Sequence, residues 1–372
     1  MDFSLDFPVQ CDYNNIITIE NYSYRGRQMT GYAIFIFILI LLYTFYMGVN
    51  DGSNAIATTV ATRAVQPRTA IVIAALINFA IPVIIFVLDI VSVADNISAK
   101  LVYNQFFDGI SDEKAFSFVV SGILGAIVWG GTTFALKIPN STSHTVLGGI
   151  IGAGIAAFGF GAIQWKEFVL VKVVLMIVLA PVIGLLLGFF LMKLVRRIAR
   201  RASRSISAVL TGLQRLNLMI LAGAFSSNNA QKSIGMFFLV SAVGLTVYNE
   251  AHIPIWIVLS FAGALTLGLL LGGYRVINTV GRKIFKLQPV HSVIAQFTTS
   301  LVMITATSLG ISLSTGQIMS SSIMGVGAAE RANGVHWNMA IRIVVSWLLT
   351  LPCSAGMGAL FYLLIGKAIF GV

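Results

Sequence analysis

The sequence predicts an all-α polytopic membrane protein built from two inverted-topology repeats, with broken or re-entrant helices where the repeats meet. Three observations carry that expectation. Of 372 residues, 57% are hydrophobic and only 10% charged, against roughly 25% charged in a soluble domain. Apolar stretches of membrane-spanning length recur from end to end. A polar phrase set inside one such stretch, Gly48 to Ala55, has a blurred copy at Ser227–Ser233.

Taken in order, residues 1–29 are polar and carry four acids, Asp2, Asp6, Asp12 and Glu20. They lack the basic start and cleavage site of a signal peptide and read as a retained tail. Apolar stretches follow at about 32–48, 69–91, 116–136, 144–162, 170–192, 206–225, 233–248, 254–273, 290–311 and 337–365. Several reach the ~20 residues that span a bilayer as a helix. The ~10-residue alternation of a membrane β-barrel is not seen. Cys11 and Cys353 are the only cysteines, so neither a disulfide framework nor a cysteine metal site is expected.

The net charge of +11 is distributed as in a membrane protein and does not point to nucleic acid. Seven bases crowd 193–215 (Lys193, Arg196, Arg197, Arg200, Arg201, Arg204, Arg215), and four lie at 275–286 (Arg275, Arg282, Lys283, Lys286). Both groups follow apolar spans directly, the positive-inside pattern of cytoplasmic loops in a cell membrane. The same loops could touch anionic lipid heads. The acidic loop around Asp95, Asp108, Asp112 and Glu113 then falls outside.

The basic linker 193–215 divides a first transmembrane repeat, 30–192, from a second, 216–372. Each half opens on an Asn-rich motif and later carries a hydroxyl cluster. These are Lys-Ile-Pro-Asn-Ser-Thr-Ser-His at 137–144 and Gly-Ile-Ser-Leu-Ser-Thr-Gly-Gln at 310–317. Asp51 precedes Ser141 by 90 positions, and Asn229 precedes Ser314 by 85. Each half closes on a span containing a proline, Pro181 or Pro352. Loop 92–115 is acidic where its counterpart 275–288 is basic, as inversion requires. Three apolar stretches between the two basic loops cannot return the chain to one side. One of them is therefore expected to be re-entrant or broken, near Ser227–Ser233.

The motifs suit an ion site. Gly48 and Gly52 would let the backbone unwind, freeing N–H groups for an anion and carbonyls for a cation. Asn50, Asp51 and Asn54 belong to this phrase; Asp51 could hold a coupling cation, carry a proton or accept from a protonated oxyanion. The plainer alternative is an acid at a helix end paired with Arg63 or Arg68. Asn228, Asn229 and Lys232 form the second phrase. At membrane depth Lys232 needs an anion or Asp51, unless it snorkels to an interface. Ser141, Thr142, Ser143, Ser314 and Thr315 supply hydroxyls for either ion, although such residues also serve helix packing. His144 could carry a proton or be structural, and Gln317 holds the matching place. Asn78 and Gln296 lie within apolar helices and should bond across helices.

These residues resemble the duplicated signatures of the inorganic phosphate transporter (PiT) family, bacterial branch. The carriers are Gly-Val-Asn-Asp-Gly-Ser-Asn-Ala, Pro-Asn-Ser-Thr-Ser-His and Ser-Asn-Asn-Ala-Gln-Lys-Ser. Two further stretches support it, Gly273 to Lys283 and Trp347 to Pro352. The resemblance spans about residues 30–365. It implies inverted repeats, a central phosphate site built by the Asn-Asp and Ser-Thr motifs, and transport coupled to sodium or protons. A sodium ion near Asp51 is the only bound metal it suggests. The chain departs from the family pattern at Asn229, where a second aspartate is usual, and at Ser312 and Gln317, where a proline and a histidine are usual. Asn78 and Gln296 stand where sodium-coupled relatives have glutamates. Fewer acids mean fewer ligands for a hard cation, which leans toward protons.

A secondary transporter for a tetrahedral oxyanion is thus expected, phosphate first and sulfate second, with a homodimer among the arrangements open to it. An anion channel would more often form its pore by subunit symmetry. A membrane enzyme would need a nucleophile–base set that is not seen, and no nucleotide loop accompanies the spans.

Overall fold

The computed structural model describes residues 31–90, 93–94, 101–136, 138–201, 206–246, 248 and 253–372. The expected polar tail, Asp95, Lys137, Arg204 and His252 lie outside them. Among the described residues, ten α-helices carry the fold: α1 Gly31–Ala61, α2 Pro67–Val87, α3 Asp112–Ala135, α4 Thr142–Phe158 and α5 Leu175–Ile198, then α6 Ile206–Ala242, α7 Ile255–Lys283, α8 Pro289–Ser308, α9 Thr315–Arg331 and α10 Trp337–Tyr362. A π-helical stretch, Trp165–Val174, leads into α5, and another, Leu363–Phe370, extends α10. Among the described residues, eight helices are long and apolar enough to cross a membrane. The chain is a multi-pass membrane protein.

Local chemistry sets the helix starts. Ser111 caps α3 by accepting from the Lys114 N–H, and Asp112 and Glu113 sit in its first turn, where the helix dipole favours negative charge. Prolines open α2 and α8, a position where no N–H is missed.

The two halves repeat one order: three long helices, a 17-residue helix, and a long closing helix. Each short helix pairs with its predecessor as a hairpin whose mouth is clasped. At the α3–α4 mouth, Tyr103 N donates to Ala162 O (3.0 Å) and Gln164 N to Leu101 O (3.1 Å). At the α8–α9 mouth, His336 N donates to Ile284 O (3.1 Å). Helices α1 and α6 run antiparallel past each other. Thr44 meets Ser233 at 2.8 Å, and Thr62 donates to Gln214 at 2.5 Å.

Glycines let the halves interlock. A Cβ at Gly48 of α1 would lie 2.1 Å from the Leu265 carbonyl of α7, and one at Gly268 the same distance from Phe45 O. Helix α4 packs on α10, where a Cβ at Gly152 would be 1.8 Å from Ala355 O. Helix α9 packs on α5, where a Cβ at Gly325 would be 2.0 Å from Leu185 O. Each half thus seats its closing helix against the short helix of the other. Small residues permit this backbone contact in a bilayer, where apolar surface alone gives no drive to associate.

Two apolar cores result. One gathers Ile36, Ile40, Phe118, Leu147, Phe237 and their neighbours; the other gathers Ile56, Ile71, Leu221, Met303, Ile323 and theirs. Both α1 and α6 thread the two cores, and their Asn-rich motifs fall at the junction.

Three expectations change. The apolar stretches 206–225 and 233–248 form one unbroken 37-residue helix, α6, so two helices rather than three separate the basic segments. No re-entrant piece is needed there; the chain breaks instead at the hairpin tips, near 136–141 and 309–314. Gly48 and Gly52 do not unwind α1, because close contact with α7 uses their missing side chains. The linker 193–215 is largely helical: Lys193, Arg196 and Arg197 ride on α5 and Arg215 on α6.

Gly48→Ala should destabilise the protein by about 1–3 kcal/mol through overpacking, read as a lower unfolding temperature in detergent. Gly131→Ala, with nothing within 4 Å of its added Cβ, should leave it unchanged.

Candidate functional site

Asp51 sits in the middle of α1, two per cent exposed. It is therefore not a helix-end acid paired with Arg63 or Arg68. A bare carboxylate in such surroundings is strongly disfavoured, and its partners show how it is held. Thr142 Oγ1 donates to Asp51 Oδ2 at 2.6 Å and Asn50 Nδ2 to Oδ1 at 3.1 Å. Asn229 and Lys232 of α6 face the same group.

The hairpin tips supply the other wall. Ser141 caps α4 by accepting from His144 N at 3.3 Å, so its hydroxyl is partly spent on the helix. Ser143 Oγ reaches across to Leu313 O, 2.9 Å, at the tip of the α8–α9 hairpin. The N-termini of α4 and α9 therefore meet. Ser314 makes no side-chain cap for α9, leaving the first N–H groups of that helix without an intrahelical acceptor. Thr315 Oγ1 and Gln317 Nε2 are buried without a hydrogen-bond partner among the described residues. Asn54 reaches this tip as well: a Cβ at Gly316 would lie 3.2 Å from its Nδ2.

Lys232 is fully buried and does not snorkel. Its ammonium donates to Asn229 Oδ1 at 2.8 Å and to Leu313 O at 3.5 Å. Among the described residues, no direct ion pair joins it to Asp51. The centre thus combines one carboxylate, one ammonium and two helix N-termini, each worth about half a positive charge. Unpartnered donors and a positive balance suit a small polyvalent anion.

The fold brings together Asn50, Asp51, Asn54, Thr142, Ser143, Asn229, Lys232, Ser314 and Thr315. Asn228 turns aside, its Nδ2 donating to Thr307 at the end of α8 (3.3 Å), although its Oδ1 is buried without a partner among the described residues. His144 is buried in the first turn of α4, and its Nδ1 likewise lacks a partner there. Gln296 donates to Thr59, as cross-helix bonding predicts; at Asn78 it is the main-chain carbonyl, not the side-chain amide, that accepts from Ser226, at 2.9 Å.

Sequence reasoning missed a layer around Asn140. Tyr46 Oη and Asn140 exchange hydrogen bonds at 2.9 and 3.2 Å, and Asn140 Nδ2 donates to Thr133 at 2.6 Å. Tyr43 Oη donates to the Thr142 carbonyl at 2.6 Å, steadying the residue that binds Asp51. The signal was present in helical spacing. Residues 43, 47, 50, 51 and 54 share a face of α1, but tyrosine inside an apolar run reads as filler.

The profile described as the phosphate transporter family matches residues 47–213 and 199–358. A Bacillus subtilis protein named "Probable low-affinity inorganic phosphate transporter" is 35% identical over 338 residues, 90% of this chain and 97% of its own length. A Rhizobium meliloti protein of the same name is 33% identical, covering 87% of this chain and 93% of its own. A solved structure titled "The sodium-dependent phosphate transporter" superposes with a TM-score of 0.78 at 23% identity, across 91% of this chain and all of that one. That last likeness speaks to the fold.

Tyr46→Phe removes the phenol that pairs with Asn140 and should cost about 1–2 kcal/mol. The measurement is the unfolding temperature in detergent, and an unchanged value would mean Asn140 is held without it.

Proposed function

We propose, because this chain belongs to the phosphate transporter family, that it carries inorganic phosphate across a cell membrane between the tips of its two helical hairpins. The observation that carries this reading is the meeting of the α4 and α9 N-termini beside Asp51 and Lys232. Two positive helix ends, free hydroxyls and an ammonium would satisfy phosphate oxygens. One carboxylate distinguishes the ligand. Hydrogen phosphate carries a proton that Asp51 can accept as a hydrogen bond, whereas sulfate carries none.

The binding set is Asn50, Asp51, Asn54, Ser141, Thr142, Ser143, Asn229, Lys232, Ser314 and Thr315, with Gln317 and Asn228 at the margin. Thr142 and Asn50 orient Asp51, and the Ser143–Leu313 contact holds the tips together. His144 stands close enough to take part in proton movement.

The halves are proposed to be inverted copies. Antiparallel α1 and α6 support this, as do the clasped hairpin mouths. A hairpin that returns to its own side leaves three crossings in each half, and an odd count reverses the second. The basic segments after α5 and at the end of α7 then face the cytoplasm. A site wrapped by two inverted halves near mid-membrane suits secondary transport, in which a cation gradient drives the anion.

A sodium ion at Asp51 is the one metal to weigh, and the residues present do not fit it. Thr142 and Asn50 take one acceptor position on each carboxylate oxygen, and the charge beside them is already positive. The neighbouring oxygens, Asn229 Oδ1 and Leu313 O, point at the Lys232 ammonium. A second cation would meet that charge at close range.

Reconstituted in vesicles, the protein should accumulate labelled phosphate under an imposed cation gradient. Breaking a buried charge arrangement costs about 3 kcal/mol or more, so Asp51→Asn should slow uptake by ~100-fold. Thr142→Val, losing one hydrogen bond to a charged group, should slow it by ~10-fold. Excess sulfate should leave uptake intact. Unchanged rates in both variants would remove the site.

A further inference from the structure

We infer that the anion leaves for the cytoplasm along the faces of α1, α6 and α8 that meet below Asp51, and that the matching faces on the outer side form a dry seal. The inference rests on the phosphate-transport reading above, with its inverted repeats, and names the gate on either side of that site.

The inner faces are polar and close on two amide–hydroxyl contacts. Thr62 Oγ1 donates to Gln214 Oε1 at 2.5 Å, joining α1 to α6, and Gln296 Nε2 donates to Thr59 Oγ1, joining α8 to α1. Asn217 Nδ2 of α6 donates to Val293 O of α8 at 3.0 Å, so the three helices meet. Around these contacts four buried polar atoms have no partner among the described residues: Thr58 Oγ1, Gln214 Nε2, Ser292 Oγ and Gln296 Oε1. Ser292 lies one turn before Gln296 on the same face of α8. Leaving such groups dry is costly. Their mixture of donors, acceptors and hydroxyls carries no net charge, and it suits water. On α1 the lining runs from Thr58, about two turns beyond Asp51, to Thr62 just past the end of that helix.

The repeat supplies the comparison. An offset of 178 residues carries Asp51 onto Asn229, and one of 173 carries Ser141 onto Ser314. The second offset also carries the bond from Ile138 N to Thr133 O onto that from Ile311 N to Ala306 O, both 2.8 Å. Every inner residue then maps onto an apolar outer one. Thr58, Thr59 and Thr62 map onto Met236, Phe237 and Val240, Gln214 onto Ile36, and Ser292 and Gln296 onto Val119 and Ile123. All six outer residues are buried in one apolar core. There the Phe237 ring packs against Phe37 and Phe261, with centroids 6.1 and 6.4 Å away. Thr44 and Ser233, a polar pair on the outer side, satisfy each other at 2.8 Å. Ser117 and Ser121 stand two residues before Val119 and Ile123, on the opposite face of α3.

The two sides therefore open at different cost. Parting the inner faces trades two amide–hydroxyl contacts for hydrogen bonds to water and wets four groups that had no partner. Parting the outer faces exposes Ile36, Phe237 and their neighbours to water, which the hydrophobic effect opposes. An empty carrier opens inward more readily than outward, and a departing anion meets a lining that water can fill.

The test is cysteine accessibility in the full chain, in oriented vesicles, on a background with Cys11 and Cys353 replaced by serine. Thr58→Cys and Ser292→Cys lie on the inner faces; Met236→Cys and Val119→Cys are their outer counterparts. Without phosphate, a membrane-impermeant maleimide applied on the cytoplasmic side should modify the inner pair about tenfold faster, or more, than the same reagent applied outside modifies the outer pair. Equal rates, or faster reaction of the outer pair, would overturn the inference. In a second arm, Thr58→Val with Gln296→Met keeps the volume and removes the polarity. That protein should bind phosphate in detergent with unchanged affinity yet turn over about tenfold more slowly, whereas a pair needed only for packing would change neither. Full turnover in it overturns the release path as well. Labelling needs no substrate, so wild-type vesicles that take up no labelled phosphate would fault the transport reading and leave the labelling contrast to be judged by itself.

Discussion

A single charge arrangement governs this structure: one carboxylate and one ammonium held out of water at the point where two apolar cores meet. Neither could stand alone at that depth. Their joint presence requires donors for Asp51 and acceptors for Lys232, and those come from different elements. Thr142 arrives from the α4 tip, Leu313 from the α9 tip, and Asn229 from α6. The hairpins must therefore reach inward far enough to end here, which explains why α4 and α9 are 17 residues long in a protein of longer spans. Ending a helix at this depth would normally strand its first N–H groups. Here those groups face Asp51, Lys232 and the space between the tips, so the cost of stopping a helix inside the membrane also supplies the donors that the proposed anion site needs.

Close helix packing makes this geometry rigid. In lipid, side chains gain little by leaving the surrounding hydrocarbon, so association depends on intimate backbone contact. The contacts of Gly48 with Leu265, Gly152 with Ala355 and Gly325 with Leu185 supply it. Gly48 also belongs to the signature phrase, so one short segment of α1 both packs against α7 and presents Asp51 to the tips. Alternate faces of a single helix do both jobs, and no unwinding is required.

That division of labour explains what was legible in the sequence. Helical class, duplication, and nearly every residue around Asp51 could be read from hydropathy and from repeated order, because buried charge in an apolar run has few meanings. The glycines misled, since a glycine that admits a neighbouring helix and a glycine that permits unwinding look identical in one dimension. Helix α6 was read as two stretches because Ser226–Ser233 lowers its hydropathy. Those side chains face protein rather than lipid, so a helix can pass through them unbroken. Tyr43, Tyr46 and Asn140 were passed over for the opposite reason. Tyrosine counts as apolar in a hydropathy sum, while its hydroxyl is what fixes Thr142 and Asn140. Tertiary partnership, which a linear pattern does not carry, decided each of these cases.

The interlocking of the halves constrains how such a site can open. Helix α4 is seated on α10, and α9 on α5, through carbonyl-to-glycine contacts with no room for a methyl group. Sliding a short helix past its partner would drive backbone into backbone, so each pair must move as one body. The mouth of each hairpin is clasped by main-chain hydrogen bonds, so its two legs move together as well. What remains free to change is the meeting of the tips, where the Ser143–Leu313 contact is a single hydrogen bond of modest net worth, about 1 kcal/mol. Weak tips between strongly packed bodies give a structure that parts at one seam. That seam runs between Thr142, which holds Asp51, and Leu313, which holds Lys232, so opening it loosens the carboxylate and the ammonium in the same motion.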